Sequence, residues 1–497
     1  MNPTPAAVLK VFALILSRRW IKQWQKTHAP ARAKKKSGAR AGPAPPAAKK
    51  PNNPQGFYER IFSPQVTLWY LIFQRLMADH TLAAVVRDLR RGGANRLGRH
   101  GDKKLSDRHR SRSTSGYSAA RQRMPVALFQ DALQHLGDGL RRLVGWGQGP
   151  SAQAPAPSQR SRQLLEGSTL CVLVNRNLAR AYPPASNGFC VTDWSQIRIV
   201  VGFCARSGAV LSATEGPATS SEQSLSWSLL EQAPRFTVWI GDRNFGVWSV
   251  VSKAAHQDQD VVVRLTRARA RKLAGGRPLR SGEDRAVSWQ PSRLDHGAPG
   301  VPRQGIQGRL IYVRIRRQGK SIDLFLFTTL PAADYPVALL VQWYGQRWQA
   351  EVHFRSVKTH LKMEQLHVVS ADRARKEFYA GLLAYSLVRA VMWGGGAGLE
   401  EKVKAISFSQ ARRVLVDWLQ DWGRGLLKGH AHDLIDTLLD EVAGELLPRR
   451  RRKRRSEVRR VRCRAQKFPP LQGSRALARR KARHQASMAT LSQAKTQ

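Results

Sequence analysis

Hydrophobic and polar positions change period several times along this chain. Between residues 57 and 145 the apolar residues recur at helical spacing. Ser63-Pro64 followed by residues 67–76 predicts a helix with proline in its first turn, residues 81–89 a second helix, and residues 125–143 a third. A very basic loop, residues 90–112, and the short segment 116–123 lie between them. From Leu164 the pattern becomes strand-like. Residues 164–174, 196–204 and 209–213 predict strands, the last two joined at Ser207-Gly208, a hairpin signal. Residues 221–232 predict a helix opening on Ser-x-x-Ser, and residues 236–240 a short strand ending in Gly241-Asp242. Residues 261–265, 286–289, 310–315 and 322–329 predict four more strands, with Asp323 as a strand residue. Residues 343–358 hold no proline and one glycine near their start, so they predict one helix. Residues 378–393 predict a long apolar helix closed by Gly394-Gly395-Gly396, and residues 407–447 two more.

Charge adds to this outline. The 497 residues carry 84 Lys and Arg against 34 Asp and Glu, a formal net charge of +50. Such a surplus predicts a polyanionic partner, because phosphate binding releases counterions. The cations concentrate at the ends. Residues 18–56, with Ala31-Arg32-Ala33-Lys34-Lys35-Lys36, are expected to be a flexible basic arm, and residues 448–497, with the run 449–455, a basic disordered tail. Residues 146–162 are rich in Gly, Pro, Ser, Ala and Gln, a linker composition. Residues 6–16 predict a short amphipathic helix, too short to span a bilayer, and its cations follow the apolar run, the reverse of a secretory signal. With no longer apolar run, the chain is expected to be soluble and without membrane partners. Cys171, Cys190, Cys204 and Cys463 show no CxxC spacing, which argues against a structural zinc site or a disulfide framework and suits a reducing cytoplasm.

Acids are scarce, so a carboxylate at the end of an apolar run stands out. Asp242 closes a strand in Gly241-Asp242-Arg243-Asn244-Phe245-Gly246, as a ligand-facing carboxylate or as a turn cap. On a helix through residues 343–358, Tyr344, Arg347, Glu351 and Lys358 fall at three-, four- and seven-residue steps and share one face. That face is either a ligand site or a solvated one with Arg347–Glu351 and Glu351–Arg355 ion pairs, each worth about 0.2–0.5 kcal/mol.

Tyr, two residues, Arg, three residues, Glu, six residues, Lys resembles the signature of insertion-sequence transposases of the insertion-sequence-four type, DDE enzymes with a ribonuclease-H-like core. Gly241-Asp242-Arg243-Asn244-Phe245 resembles the setting of that family's second carboxylate. Glu166-Gly167-Ser168-Thr169 resembles that of the first, with Glu where the family has Asp, and residues 179–187 are also family-like. Tyr117, Ala120 and Arg121 match a Tyr-x-x-Ala-Arg element of its N-terminal domain.

The resemblance implies an α/β fold: a ribonuclease-H-like core of mixed sheet and helices, with a β-rich insertion, a helical N-terminal domain and basic disordered tails. The expected boundaries are an arm at 1–56, a helical DNA-binding domain at 57–145, the linker at 146–162, core at 163–254, insertion at 255–334, core with the signature helix at 335–395, C-terminal helices at 396–447 and the tail at 448–497. It implies a transposase that binds double-stranded transposon ends and target DNA and catalyses strand cleavage and transfer with two Mg²⁺ (or Mn²⁺) ions. Glu166, Asp242 and Glu351 are the expected catalytic metal ligands. Tyr344, Arg347 and Lys358 are the expected DNA contacts, with Arg355 and Arg243 beside them. The family works as a homodimer on paired ends, and the expected location is the bacterial cytoplasm, at the nucleoid. Three alternatives stay open. Asp193 stands in for Glu166 as first ligand, the Glu leaves a catalytically impaired DNA-binding protein, or the core serves a metal-dependent nuclease or resolvase.

Overall fold

The computed structural model describes residues 5–28, 61–98, 101, 103–146, 155–173, 175–186, 191–293, 295, 304–317, 320–448 and 474–481. Helices α1 (Pro5–Leu16) and α2 (Arg18–Thr27) open the chain, separated at Ser17, whose hydroxyl accepts from the Trp20 N–H. Helix α1 is the short helix expected at residues 6–16, whereas the expectation of a flexible arm fails for residues 18–28; residues 29–56 lie outside the described residues. The reason is an apolar stripe hidden among the cations. Val8 and Val11 of α1 and Ile21 and Trp24 of α2 are buried, and Trp24 Nε1 donates to Asp131 at 2.6 Å.

Helices α3 (Pro64–Leu76) and α4 (Leu82–Arg90) begin where the sequence signals place them, capped by Ser63 and Thr81. The basic loop contains α5 (Leu105–Arg108), and α6 (Ser115–Arg123) and α7 (Val126–Leu143) complete this region. Both ends of the expected linker are anchored, with Trp146 and Arg160 buried.

The core follows: β1 (Arg162–Val172), α8 (Arg176–Ala181), β2 (Pro184–Ser186), β3 (Val191–Cys204), β4 (Val210–Pro217), α9 (Glu222–Gln232), β5 (Val238–Gly241), α10 (Trp248–His256) and β6 (Asp260–Arg264). Strand β3 runs antiparallel to β1 and β4, whereas β1, β5 and β6 are mutually parallel. The run β4-β3-β1-β5-β6 with only β3 reversed is a ribonuclease-H-like arrangement. Gly208, at φ 73°, makes the turn between β3 and β4, as its position in the hairpin signal implies.

After α11 (Arg267–Leu273) come β7 (Glu283–Trp289), β8 (Ile306–Arg317) and β9 (Lys320–Thr328). These strands extend the core sheet itself, in the order β6-β9-β8-β7. Strand β6, which the sequence reading assigns to the insertion, thus belongs to the core through its parallel pairing with β5. Asp323 is the strand residue expected: Tyr312 and Arg314 on β8 both donate to it, at 2.9 and 3.0 Å.

Helices α12 (Val337–Gly345) and α13 (Gln349–Arg355) lead to β10 (Gln365–Leu366) and then to α14 (Ala371–Gly395), α15 (Glu400–Ala405), α16 (Phe408–Arg424) and α17 (Ala431–Gly444). Alternate strand residues divide between two cores, as the period of two requires. Val238, Ile240, Val262 and Leu326 face one core with α14, while Trp239, Val261, Val263 and Phe327 face the other with α9 and α10. The N-terminal helices join the first core. Helices α3 and α7 pack on α14, where Arg75 and Arg121 both pair with the buried Glu377. No described helix is long and apolar enough to cross a membrane. In the separate C-terminal unit, residues 475–481 are helical, and the arginine run 449–455 lies outside the described residues.

Candidate active site

Glu166 sits on β1 and Asp242 leaves the end of β5. The parallel register pairs Leu165 with Gly241, so the two acids follow at matching positions on neighbouring strands, facing the same side of the sheet. The Asn244 N–H donates to Asp242 Oδ1 at 2.9 Å. Asp242 is therefore a turn cap through one oxygen, and the same bond holds the carboxylate toward Glu166.

Glu351 arrives from α13. Arg347 joins it to the sheet: Nη1 donates to Glu166 Oε2 at 2.8 Å and Nη2 to Glu351 Oε1 at 2.5 Å. The second pair considered from spacing, Glu351–Arg355, is not formed among the described ion pairs; Arg355 and, on the turn after β5, Arg243 are exposed.

The segment carrying these residues is not one helix. Helix α12 stops at Gly345, and Gln346, Arg347, Gln349, Ala350 and Glu351 donate to carbonyls three residues back instead of four. After α13, residues Ser356–His360 form a π-helical turn. The tightening and loosening take the four signature residues off a single regular face. Tyr344, Arg347 and Glu351 stay near Glu166 and Asp242, while the Lys358 charge is coupled to Glu364 and Cys171. Cys171 is five residues along β1 from Glu166, or roughly 16 Å at about 3.3 Å per residue.

A fourth acid lies nearby, on the face of the sheet opposite Glu166. Glu222 is the first residue of α9, and its Oε2 accepts from Asn244 Nδ2 at 2.6 Å, while Gln223 Nε2 donates to Asn244 Oδ1 at 2.5 Å. Asn244 thereby ties Glu222 to the Asp242 turn. Any Cβ at position 167 would fall inside the Glu222 carboxylate, so the glycine after Glu166 is what admits this side chain. From sequence, Glu222 is only an acid in the first turn of a helix, where the helix dipole favours one anyway.

The electrostatics follow from this crowding. Burial pushes the Glu166 carboxyl up to about 7; Arg347 opposes the rise, and the charges of Asp242, Glu351 and Glu222 add to it. Burial also raises Glu222, against the pull of Arg198 and the Asn244 bond. Burial works against the Arg347 charge, but its bond to Glu351 and the attraction of Glu166 prevail and raise it. Burial raises the Tyr344 phenol, against the charges of Arg347 and Arg264.

Carboxylate oxygens are the donors a hard divalent ion prefers. Even so, no three described His, Cys, Asp or Glu side chains gather closely enough to hold an ion, because the Arg347 guanidinium stands between Glu166 and Glu351. The alternative ligand Asp193 lies elsewhere. Val201 of β3 opposes Glu166, and Asp193 is eight residues along the same strand, about 26 Å away. Cys171 and Cys204 are free thiols.

No curated protein matches the chain. Among solved structures it is similar to the cryo-EM structure of a piggyBac transposase synaptic complex with hairpin DNA. That similarity has 10% sequence identity, covers 88% of this chain and 85% of that one, and has a TM-score of 0.38. Residues 176–387, which include Asp242 and Glu351 and begin after Glu166, match the family described as "Transposase DDE domain".

Proposed function

We propose that this protein is a transposase of the insertion-sequence-four type that binds double-stranded transposon ends and catalyses their cleavage and strand transfer. One observation carries the reading. Glu166 on β1 and Glu351 on α13, remote in sequence, are bridged by the signature arginine, Arg347, and Asp242 follows β5 at the position matching Glu166.

In this reading Glu166, Asp242 and Glu351 would hold Mg²⁺ or Mn²⁺ once Arg347 gives up its bridge between Glu166 and Glu351. When bound, such ions supply charge stabilisation and an activated oxygen nucleophile for phosphodiester transfer. The chain's own residues do the rest. Arg347, with Tyr344 beside it, orients the backbone phosphate next to the bond that breaks, and Arg243 and Arg355, both exposed, neutralise flanking phosphates. Lys358 takes the strand farther along. Glu222 and Asn244 keep the Asp242 turn in place. The family resemblance supports a homodimer on paired ends.

The test is cleavage of duplexes taken from the DNA flanking the gene. Asp242→Ala and Glu351→Ala are expected to abolish metal-dependent nicking and to keep end binding. Full nicking by either variant would end the assignment.

The bond from Arg347 to Glu166 favours a second reading, a catalytically impaired DNA-binding protein whose longer first acid rests on the arginine. Glu166→Asp separates the two: a gain in cleavage supports impairment, and a loss supports an active enzyme built around Glu.

A further inference from the structure

A cavity of about 800 Å³ opens where the N-terminal helices meet the core, between the C-terminal end of α3, the start of α4, α6, the π-helical turn and the first turns of α14. Five cationic side chains and two carboxylates line it, a clear surplus of positive charge. One of the two carboxylates, Glu377, is already shared by Arg75 and Arg121. Lys358 and Arg373 form no ion pair among the described residues, and Lys362 Nζ donates only to the Ala78 carbonyl, at 2.8 Å.

Two of its lining residues each carry a buried nitrogen, Arg75 Nε and His80 Nε2, with no hydrogen-bond partner among the described residues. Burial, with the charges of Arg75 and Lys362, pushes His80 down to about 4, as an electropositive enclosure would. Thr81 and Leu82 bring the N-terminus of α4 to the same wall; the Thr81 N–H donates to Asp79 and the Ala84 N–H to the Thr81 hydroxyl, and the helix dipole adds positive potential there.

We propose that this cavity binds backbone phosphate of the DNA strand that is cut, so that the N-terminal helices and the core grip it together. The proposal rests on the transposase reading and extends it to residues outside the signature. Its position sets the register. Lys358 faces the cavity and lies by Cys171, roughly 16 Å along β1 from Glu166. At 3.4 Å per step that is roughly five nucleotides from the bond at the acids. A void of this size exceeds one phosphate and is open to solvent, which suits a passing strand more than an enclosed small anion.

The experiment compares the full-length protein with Lys362→Gln/Arg373→Gln, using a fluorescein-labelled duplex from the DNA flanking the gene across a salt series. Loss of two phosphate contacts is expected to flatten the slope of log K against log salt by about 1.8. Methylphosphonate substitution of the phosphates about five nucleotides from the cleavage point is expected to weaken binding to the unmodified protein and to leave the double variant unaffected. An unchanged slope with an unchanged interference pattern overturns the proposal while leaving the transposase reading intact; no DNA binding by the unmodified protein overturns both. Inorganic pyrophosphate raising the melting temperature of the unmodified protein but not of the variant, with equal DNA slopes, also overturns it, in favour of a small-anion site. Because Lys362 supports the Ala78 loop, Arg373→Gln alone, with an expected slope change of about 0.9, is the deciding variant if the double variant melts early.

Discussion

Replacing Glu166 with Gln should stabilise the protein at neutral pH. Glu166 is pushed from 4.5 to about 7, chiefly by burial, with the neighbouring acids adding to the rise and Arg347 opposing it. A folded-state pKa above the unfolded one means that the folded protein holds the proton more tightly. The stability this contributes is complete below pH 4.5, drains away as pH rises, and is gone above about 7. At about 1.4 kcal/mol per pH unit the full loss is about 3 kcal/mol. The side chain is only 16% exposed, so solvent screening reduces this little. A unit ending at Leu447 unfolds with an entropy of about 0.9 kcal/mol/K, so the loss amounts to roughly 3 °C in Tm. Glutamine keeps an oxygen for Arg347 and never ionises. Melting curves recorded in chelator from pH 4 to pH 8 should therefore coincide at the acid end. The Gln variant should gain roughly 3 °C by pH 8. A difference that stays flat over this range, or a parent protein more stable than the variant at pH 8, would refute the reasoning. The second outcome would mean that pairing with Arg347 outweighs burial and crowding.

Other substitutions probe the same architecture. Glu377→Gln leaves Arg75 and Arg121 without their shared buried carboxylate and should cost about 3–5 kcal/mol in denaturant unfolding, seen as an earlier midpoint. A cost near zero would mean that those arginines find other partners. Gly167→Ala should cost about 1 kcal/mol or less, since the atoms its methyl meets end a flexible side chain, yet it displaces Glu222 from Asn244. End cleavage should fall by roughly tenfold, equivalent to about 1.4 kcal/mol of barrier, and undiminished cleavage would remove Glu222 from the site. Arg347→Gln should raise divalent-ion affinity in the absence of DNA by roughly tenfold, because the guanidinium no longer bridges Glu166 and Glu351. Calorimetric titration with Mn²⁺ measures it, and weaker binding would show that Arg347 organises the acids instead of blocking them.

Local patterns settled much of this protein from sequence alone. Caps at Ser63, Thr81 and Ser221, the glycine turn at 208 and the period-two strands are short-range effects, decided by neighbours a few residues away. The order of strands around one helix, with acids at 166 and 242, was legible for the same reason. Tertiary structure decided the rest. Residues 18–28 look like a solvated basic segment until α1 and α3 pack on them, burying Ile21 and Trp24, and Asp131 of α7, more than a hundred positions later, accepts from Trp24. Helical spacing predicted one face for Tyr344, Arg347, Glu351 and Lys358. The hydrogen-bond step instead shortens around Arg347 and lengthens after Arg355, and spacing carries no trace of that change. Glu222 reads as an ordinary first-turn acid because its meaning comes from Gly167 and Asn244, on different elements. Whether an arginine between two carboxylates pairs with one or bridges both depends on distances that only the folded chain defines.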